Sequence, residues 1–528
     1  MTQAVADQTP KDVVTGRSRV RGHPWFTLLT VAIGVMMVAL DGTIVVVANP
    51  AIQTDLKASL ADVQWITNGY LLSLAVFLIT AGKVGDRFGH RQTFMVGVTG
   101  FALASGAIGL SNGVSMVVTF RVLQGLFGAM LQPAALGLLR AAFPAERLNM
   151  AIGIWAAVIG TSTAAGPIVG GLLVEHVSWE SVFFINVPVG AVALVMGLVV
   201  LRDVRAENAP RSFDIPGIGL LTGAMFCLIW GLIKAPEWGW SSGRTLLFLG
   251  LAVLGFLAFA IWESRAREPL LPLRLFRSAP LTAGTGLIVL MSFAMIGGIF
   301  FTTFYLQNVH GMGAVDSGVH LLPLTGMMIV SSPIAGALIT KIGPRIPMLA
   351  GMLFTSTAMF GMTTLGTETG TLPMSLWFAT LGLGLSPVMV GATEVIVGNA
   401  PLELSGVAAG LQASAMQVGG SLGTAVLGAL MAARVENVLP DKWADAGLPK
   451  TSPEQMDQLS EAASVGKAVV PRGTSEQAAQ TMTDVAHSSF LSGMELSFLV
   501  AGVMGLGAAV LALFTKRGSH QAGPSAHV

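Results

Sequence analysis

Fourteen apolar stretches, most of about twenty residues and joined mostly by short polar links, set the class of this chain. A run of that length matches the hydrocarbon thickness of a bilayer at the ~1.5 Å rise of an α-helix. The stretches lie near 25–48, 64–82, 92–110, 114–139, 149–173, 182–201, 215–234, 245–263, 280–305, 319–340, 346–366, 372–398, 405–432 and 490–515. Inside a bilayer every backbone polar group needs an internal partner, so spans of this kind fold as helices. The expected fold class is therefore an all-α polytopic membrane protein. Composition agrees: 53% of residues are hydrophobic and only 11% charged, too few charges for a soluble surface of this length. The one cysteine, Cys227, excludes an intramolecular disulfide, and the sequence carries no metal or redox motif. Nor does it carry a phosphate-cradling GxxxxGK[ST] loop or a constellation on which an enzyme activity could rest.

Charge distribution orients the spans. With the amino terminus inside, 20 of the 29 Lys and Arg residues fall in the expected cytoplasmic tails and loops, while the short outer loops hold only Lys57, Lys234 and Arg244. The first 22 residues are polar and lack the short apolar core and cleavage site of a signal peptide, so they read as a cytoplasmic tail. The expectation is a multi-pass protein of the cytoplasmic membrane with both termini inside.

An internal repeat organises the spans. GKVGDRFGHR at Gly82 matches GALITKIGPR at Gly336 after a shift of 254 residues, and PAERLNMAIG at Pro144 matches PLELSGVAAG at Pro401 after a shift of 257. Two bundles of six helices with an inserted pair between them follow, the arrangement of secondary transporters whose site lies between the halves. The expected divisions are a tail over 1–22, an N-terminal bundle over 23–205, an inserted pair over 206–270, a C-terminal bundle over 271–515 and a tail over 516–528. The long hydrophilic stretch 434–489 falls outside, either as a solvated loop or as an extracellular cap with a short helix or two.

GKVGDRFGHR resembles the loop signature GxLxDRxGRR of the major facilitator superfamily. LDGTIVVVANPAI at Leu40, RVLQG at Arg121, GPIVGG at Gly166, FFINVPVG at Phe183, PLLPLRLF at Pro269 and YLQNVHG at Tyr305 resemble its fourteen-span drug:proton antiporters. Departures are Val46 for the usual Asn, Glu180 and Ser181 after Trp179 where WRW is usual, and Thr340 where the second loop signature has Asp. The resemblance implies a proton-coupled antiporter that exports drugs, antibiotics or lipophilic secondary metabolites by alternating access. An uptake permease of the same fold is the alternative. Expected partners are a small amphipathic or lipophilic substrate, protons and the bilayer, with no nucleic acid; the chain is expected to act as a monomer and to need no cofactor beyond the proton gradient.

Asp41 lies some 16 residues along the first span, roughly 24 Å from its cytoplasmic end. A carboxylate there is costly unless paired or protonated, which makes it a candidate proton carrier. Arg121, on the inward-running fourth span, falls at about the same depth, so the two are expected within interaction range as the proton-coupling pair. The loop residues Gly82, Asp86, Arg87, Gly89 and Arg91 combine glycines that permit a tight reversal with an acid that can reach the positive end of a neighbouring helix. By resemblance, Asp86, Arg87 and Arg91 latch the halves at the inner gate. Gly166, Pro167, Gly170 and Gly171 put small residues at helical spacings, so another backbone can approach closely, and Pro167 favours a bend. By resemblance this is the antiporter motif of exporters. For the substrate cavity the candidates are Gln124, Gln132, Trp155, Glu394 and Gln417, since unpaired amides in an apolar interior are costly. Glu394 is either an interfacial carboxylate or a contact for a cationic substrate or second proton.

Overall fold

The computed structural model describes residues 20–516 apart from 59, 203–213, 267–268, 402–403 and 472. The boundary expected at 205/206 and most of both tails lie outside the described residues. Fourteen long helices occupy the fourteen expected positions: α1 Pro24–Asp55, α2 Leu60–Phe88, α3 His90–Gly109, α4 Val114–Ala142, α5 Ala145–His176, α6 Asn186–Val200, α7 Ile215–Trp238, α8 Gly243–Glu263, α9 Ala279–Phe304, α10 Leu322–Ile342, α11 Arg345–Met362, α12 Thr371–Gly398, α13 Ser405–Asp445 and α14 Glu476–Ala512. Thirteen of them are long and apolar enough to cross a membrane, the sixth when the helical turn Ser181–Phe184 that leads into it is included. The other, α11, opens on Arg345 and Pro347 and carries Thr355, Ser356 and Thr357's neighbour Ala358 in its buried face, yet its 18 residues reach about 27 Å.

The first six helices pack together, as do α9 to α14, and α7 pairs with α8. The two bundles meet along two seams, α2 against α13 and α5 against α10. The inserted pair covers the first seam, because α7 touches both α2 and α13. Lipid-facing positions keep large apolar side chains outward, such as Leu103, Val195, Leu254 and Val510, each more than half exposed; in a bilayer those surfaces are the solvated ones.

The stretch 434–489 is largely helical. α13 continues to Asp445, a short helix spans Pro453–Ala463 with a Ser452/Gln455 capping box, and α14 begins at Glu476. Val435, Leu439 and Trp443 are buried, Lys442 Nζ donates to Ser488 O at 2.7 Å, and Asn308 Nδ2 donates to Val465 O at 2.6 Å. The reading of this stretch as a solvated loop is thereby corrected to a packed cap at the end of the bundle away from Gly82–Arg91. Periodic burial on the extended ends of α13 and α14 is the reason.

Candidate functional site

Asp41, near the middle of α1, is the acceptor at the centre of a buried polar network. Its Oδ2 receives Arg121 Nη1 in an ion pair, and its Oδ1 receives Gln124 Nε2 at 3.0 Å and Asn186 Nδ2 at 3.1 Å. Ser105 Oγ joins the same two amides, at 2.6 Å from Gln124 and 2.9 Å from Asn186. Asp41, Ser105, Arg121, Gln124 and Asn186 are each at most 1% exposed. Arg121 and Gln124 share a face of α4 at i and i+3, Ser105 comes from α3, and Asn186 opens α6.

Arg121 is held by more than Asp41. Its Nε donates to Ile66 O at 3.0 Å and its Nη1 to Gln124 Oε1 at 2.7 Å, while its guanidinium lies 4.1 Å from the ring centre of Tyr70 and 5.8 Å from that of Phe183. The Tyr70 hydroxyl donates in turn to Val38 O at 3.2 Å. A buried charge pair is tolerated only when the remaining donors and acceptors are met; here both carboxylate oxygens of Asp41 and the Nε and Nη1 of Arg121 have partners. Loss of the Asp41 charge leaves the guanidinium with a carbonyl, an amide oxygen and two aromatic faces. Gln124 was expected in the substrate cavity; the structure places it inside the charge network instead, because its amide bridges both partners. Asn186 and Ser105 went unassigned in the sequence, although Asn186 stands in the FFINVPVG stretch.

The glycine pattern of α5 packs against the same part of α1. A Cβ at Gly166 would collide with Thr43 Oγ1, and one at Gly170 would lie 2.9 Å from Ile44 O. Thr43 Oγ1 donates to Thr163 O at 3.0 Å across that contact. The close approach is therefore within the N-terminal bundle, two residues from Asp41. Gly171 meets nothing within 4 Å and takes no part. Pro167 lies in the same helix, which is continuous from Ala145 to His176.

At the other end of α2, Asp86 reaches across to the C-terminal bundle. Its carboxylate accepts the N–H groups of Gly406 at 2.7 Å and Val407 at 2.9 Å, in the first turn of α13. Those N–H groups have no partner within their own helix, so a side chain of one bundle caps a helix of the other. Gly82 lets the backbones close, since a Cβ there would collide with Gly406 O. His90 Nε2 lies 3.4 Å from Asp86 Oδ1 and 3.3 Å from Ser405 Oγ. Gly89 turns the chain at φ 99°, a conformation that favours glycine. Arg140 adds a further crossing through Nη2 to Ala400 O at 3.1 Å. The expected part of Arg91 in the latch is corrected: its Nη2 donates to Leu198 O at 3.3 Å, within its own bundle, because the side chain runs along α6. The Arg87 guanidinium lies 5.4 Å from the Phe88 ring.

The remaining cavity candidates divide. Ala129 of α4 and Ala413 of α13 join Leu78 and Ala81 of α2 in a small cluster across the seam. Gln132 and Gln417 follow those alanines by three and four residues, on the same helix faces, and both are half-buried. Trp155 is 0% exposed, and its Nε1 has no hydrogen-bond partner among the described residues. Glu394 is 1% exposed within a fully buried run, Val388–Gly398, so the interfacial reading is corrected by its burial. Gln412 of α13 is 0% exposed, and neither amide atom has a hydrogen-bond partner among the described residues.

Residues 31–424 match the Major Facilitator Superfamily. The chain is 67% identical over 504 residues to the tetracenomycin C resistance and export protein of Streptomyces glaucescens, covering 95% of this chain and 94% of that protein. It is 32% identical over 484 residues to the multidrug resistance protein Stp of Mycobacterium tuberculosis, covering 90% and 89%. A solved structure of a proton:xylose symporter superposes with a TM-score of 0.58 at 13% identity, covering 92% of this chain and 94% of that one.

Proposed function

Since the chain belongs to the major facilitator superfamily, we propose that it exports an antibiotic or another lipophilic small molecule across the cytoplasmic membrane in exchange for protons, with tetracenomycin C the first substrate to try. The observation that carries the coupling is the buried Asp41–Arg121 pair with its two amide donors. In that arrangement the ionised carboxylate is fully solvated by protein groups, so a proton arriving at Oδ2 displaces Arg121 and changes the bonding of α1, α2 and α4 together. The end that carries Gly82–Arg91 faces the cytoplasm, as the placement of Lys and Arg supports. There the cap of Asp86 on α13 holds the inner gate shut, and substrate loads when it opens. Gln132, Gln417 and Gln412 are the amides available to a ligand between the bundles in the open form. The protein works as a monomer on the energy of the proton gradient, without a cofactor.

The test is export of tetracenomycin C. Cells producing the chain should tolerate the compound and hold less of it than cells producing Asp41→Asn, and liposomes with an imposed pH difference should show exchange that Asp41→Asn lacks. Exchange by Asp41→Asn at the parental rate would remove Asp41 from the coupling, and accumulation of the compound by producing cells would reverse the direction.

A further inference from the structure

α2 carries a second anchor, one turn before the latch. Lys83 is 2% exposed, and its Nζ donates at 2.8 Å to the carbonyl oxygen of Pro269, on the segment that leaves the inserted pair. The N–H of that same peptide unit, belonging to Leu270, donates at 3.0 Å to Glu263 Oε1. A single peptide plane therefore stands between an ammonium and a carboxylate, its C=O on the cation and its N–H on the anion. Each charge polarises the bond that serves the other.

Glu263 is the last residue of α8 and is 4% exposed. Beside it is Asp214, the N-cap of α7, whose Oδ1 accepts from Gly217 N at 2.9 Å and from Trp262 Nε1 at 2.7 Å. Gly217 lets the two carboxylates approach: a Cβ there would lie 2.9 Å from Glu263 Oε1 and 2.7 Å from Asp214 Cγ. The ends of α7 and α8 are thus tied to each other and, through the Pro269–Leu270 peptide, to α2. Toward the opposite end of α2, Trp65 stacks on Trp230 of α7 with ring centroids 4.7 Å apart. Beyond the peptide the chain runs through buried Leu270, Leu271 and Leu275 to α9, the first helix of the C-terminal bundle.

We propose that Lys83 and Glu263 are positioning residues of the transport cycle, fastening the inserted pair to α2 through the Pro269–Leu270 peptide. The inserted pair then travels with the N-terminal bundle although α7 also touches α13. The connector 271–278 absorbs the displacement between the bundles. This inference rests on the alternating-access reading above, but its structural part is measurable without transport.

Spin labels are placed, in a Cys227→Ala background, at the exposed positions Gln92 on α3, Arg265 beyond α8 and Lys341 on α10. When the latch is released by Asp86→Ala, the 92–341 and 265–341 distances should change while 92–265 stays constant. With Lys83→Met added, 92–265 should shift or broaden as well. A 92–265 distance that moves as much as 92–341 in the presence of Lys83 would overturn the proposal. For transport, Lys83→Met and Glu263→Gln should each lower turnover about tenfold, the scale of one charge-assisted hydrogen bond, with KM within twofold. Lys83→Arg, which still donates to the carbonyl, should recover most of the turnover. Unchanged turnover in both removal variants, or an equal loss in Lys83→Arg, would also overturn it.

Discussion

Replacing Asp86 by Ala should release the charged end of the molecule. The carboxylate is 3% exposed and accepts two main-chain N–H groups across the bundle interface. A hydrogen bond to a charged group contributes about 1.5–3 kcal/mol net, and a carboxylate at a helix N-terminus up to about 2 kcal/mol. These are overlapping descriptions of one contact, and water that reaches the freed N–H groups offsets part of the loss. The closed state should therefore lose about 3 kcal/mol, a fall of roughly 150-fold in the closed-to-open ratio at 1.36 kcal/mol per decade. Ala413 offers the readout, because it is 2% exposed in the seam behind the latch. In a Cys227→Ala, Ala413→Cys background, a membrane-impermeant maleimide applied from the charged end should react at least tenfold faster once Asp86 is Ala, while substrate still binds. An unchanged labelling rate in a folded Asp86→Ala protein would refute the argument that this cap holds the bundles together.

Three further outcomes follow from neighbouring contacts. Arg140→Ala removes one crossing bond, to Ala400 O, and should raise the same labelling rate about fivefold, the equivalent of about 1 kcal/mol. Arg121→Gln leaves Asp41 buried without its cation and should lower stability by about 3–5 kcal/mol; the double variant with Asp41→Asn should regain much of that in thermal melts, and equal melting of single and double variants would contradict the pairing. Gly166→Val drives a side chain into Thr43 and should cost about 1–3 kcal/mol, whereas Gly171→Ala, with open space around it, should melt like the parent.

The helices were legible because the bilayer imposes one rule on every span, and Asp41 and Arg121 stood out because charges there are rare and costly. Asp86 was legible as an acid that could cap a helix, though only the structure names α13 as the helix it caps. Asn186 and Ser105 were hidden among the many neutral polar residues a membrane protein carries; what marks them is one shared network, in which Asn186 donates to Asp41 and Ser105 receives the amides of both Asn186 and Gln124. Lys83 reads as one more topological charge, since its partner is a backbone carbonyl and backbone atoms leave no trace in the letters. Arg91 points the opposite lesson: matching a signature fixed its position but not the direction of its side chain. The stretch 434–489 misled because polar residues dominate it, while the apolar positions that bury α13 are spread a turn apart at Val435, Leu439 and Trp443.

α13 is one continuous helix of 41 residues, about 60 Å long. It crosses α9 at Gly419 and Gly423, where added Cβ atoms would collide with Val289 O and Phe293 O. That crossing makes a fulcrum. The arm from there to Gly406 is about 22 Å and the arm to Asp445 about 36 Å, so a rigid tilt that moves the capped end by about 1 Å moves the far tip by about 1.6 Å. If the Asp86 contact gates the proposed cycle, the polar cap is a mechanical indicator of that gate from the far end of the helix. An antibody fragment raised against Pro453–Ala463 could sense, or jam, a latch it never touches.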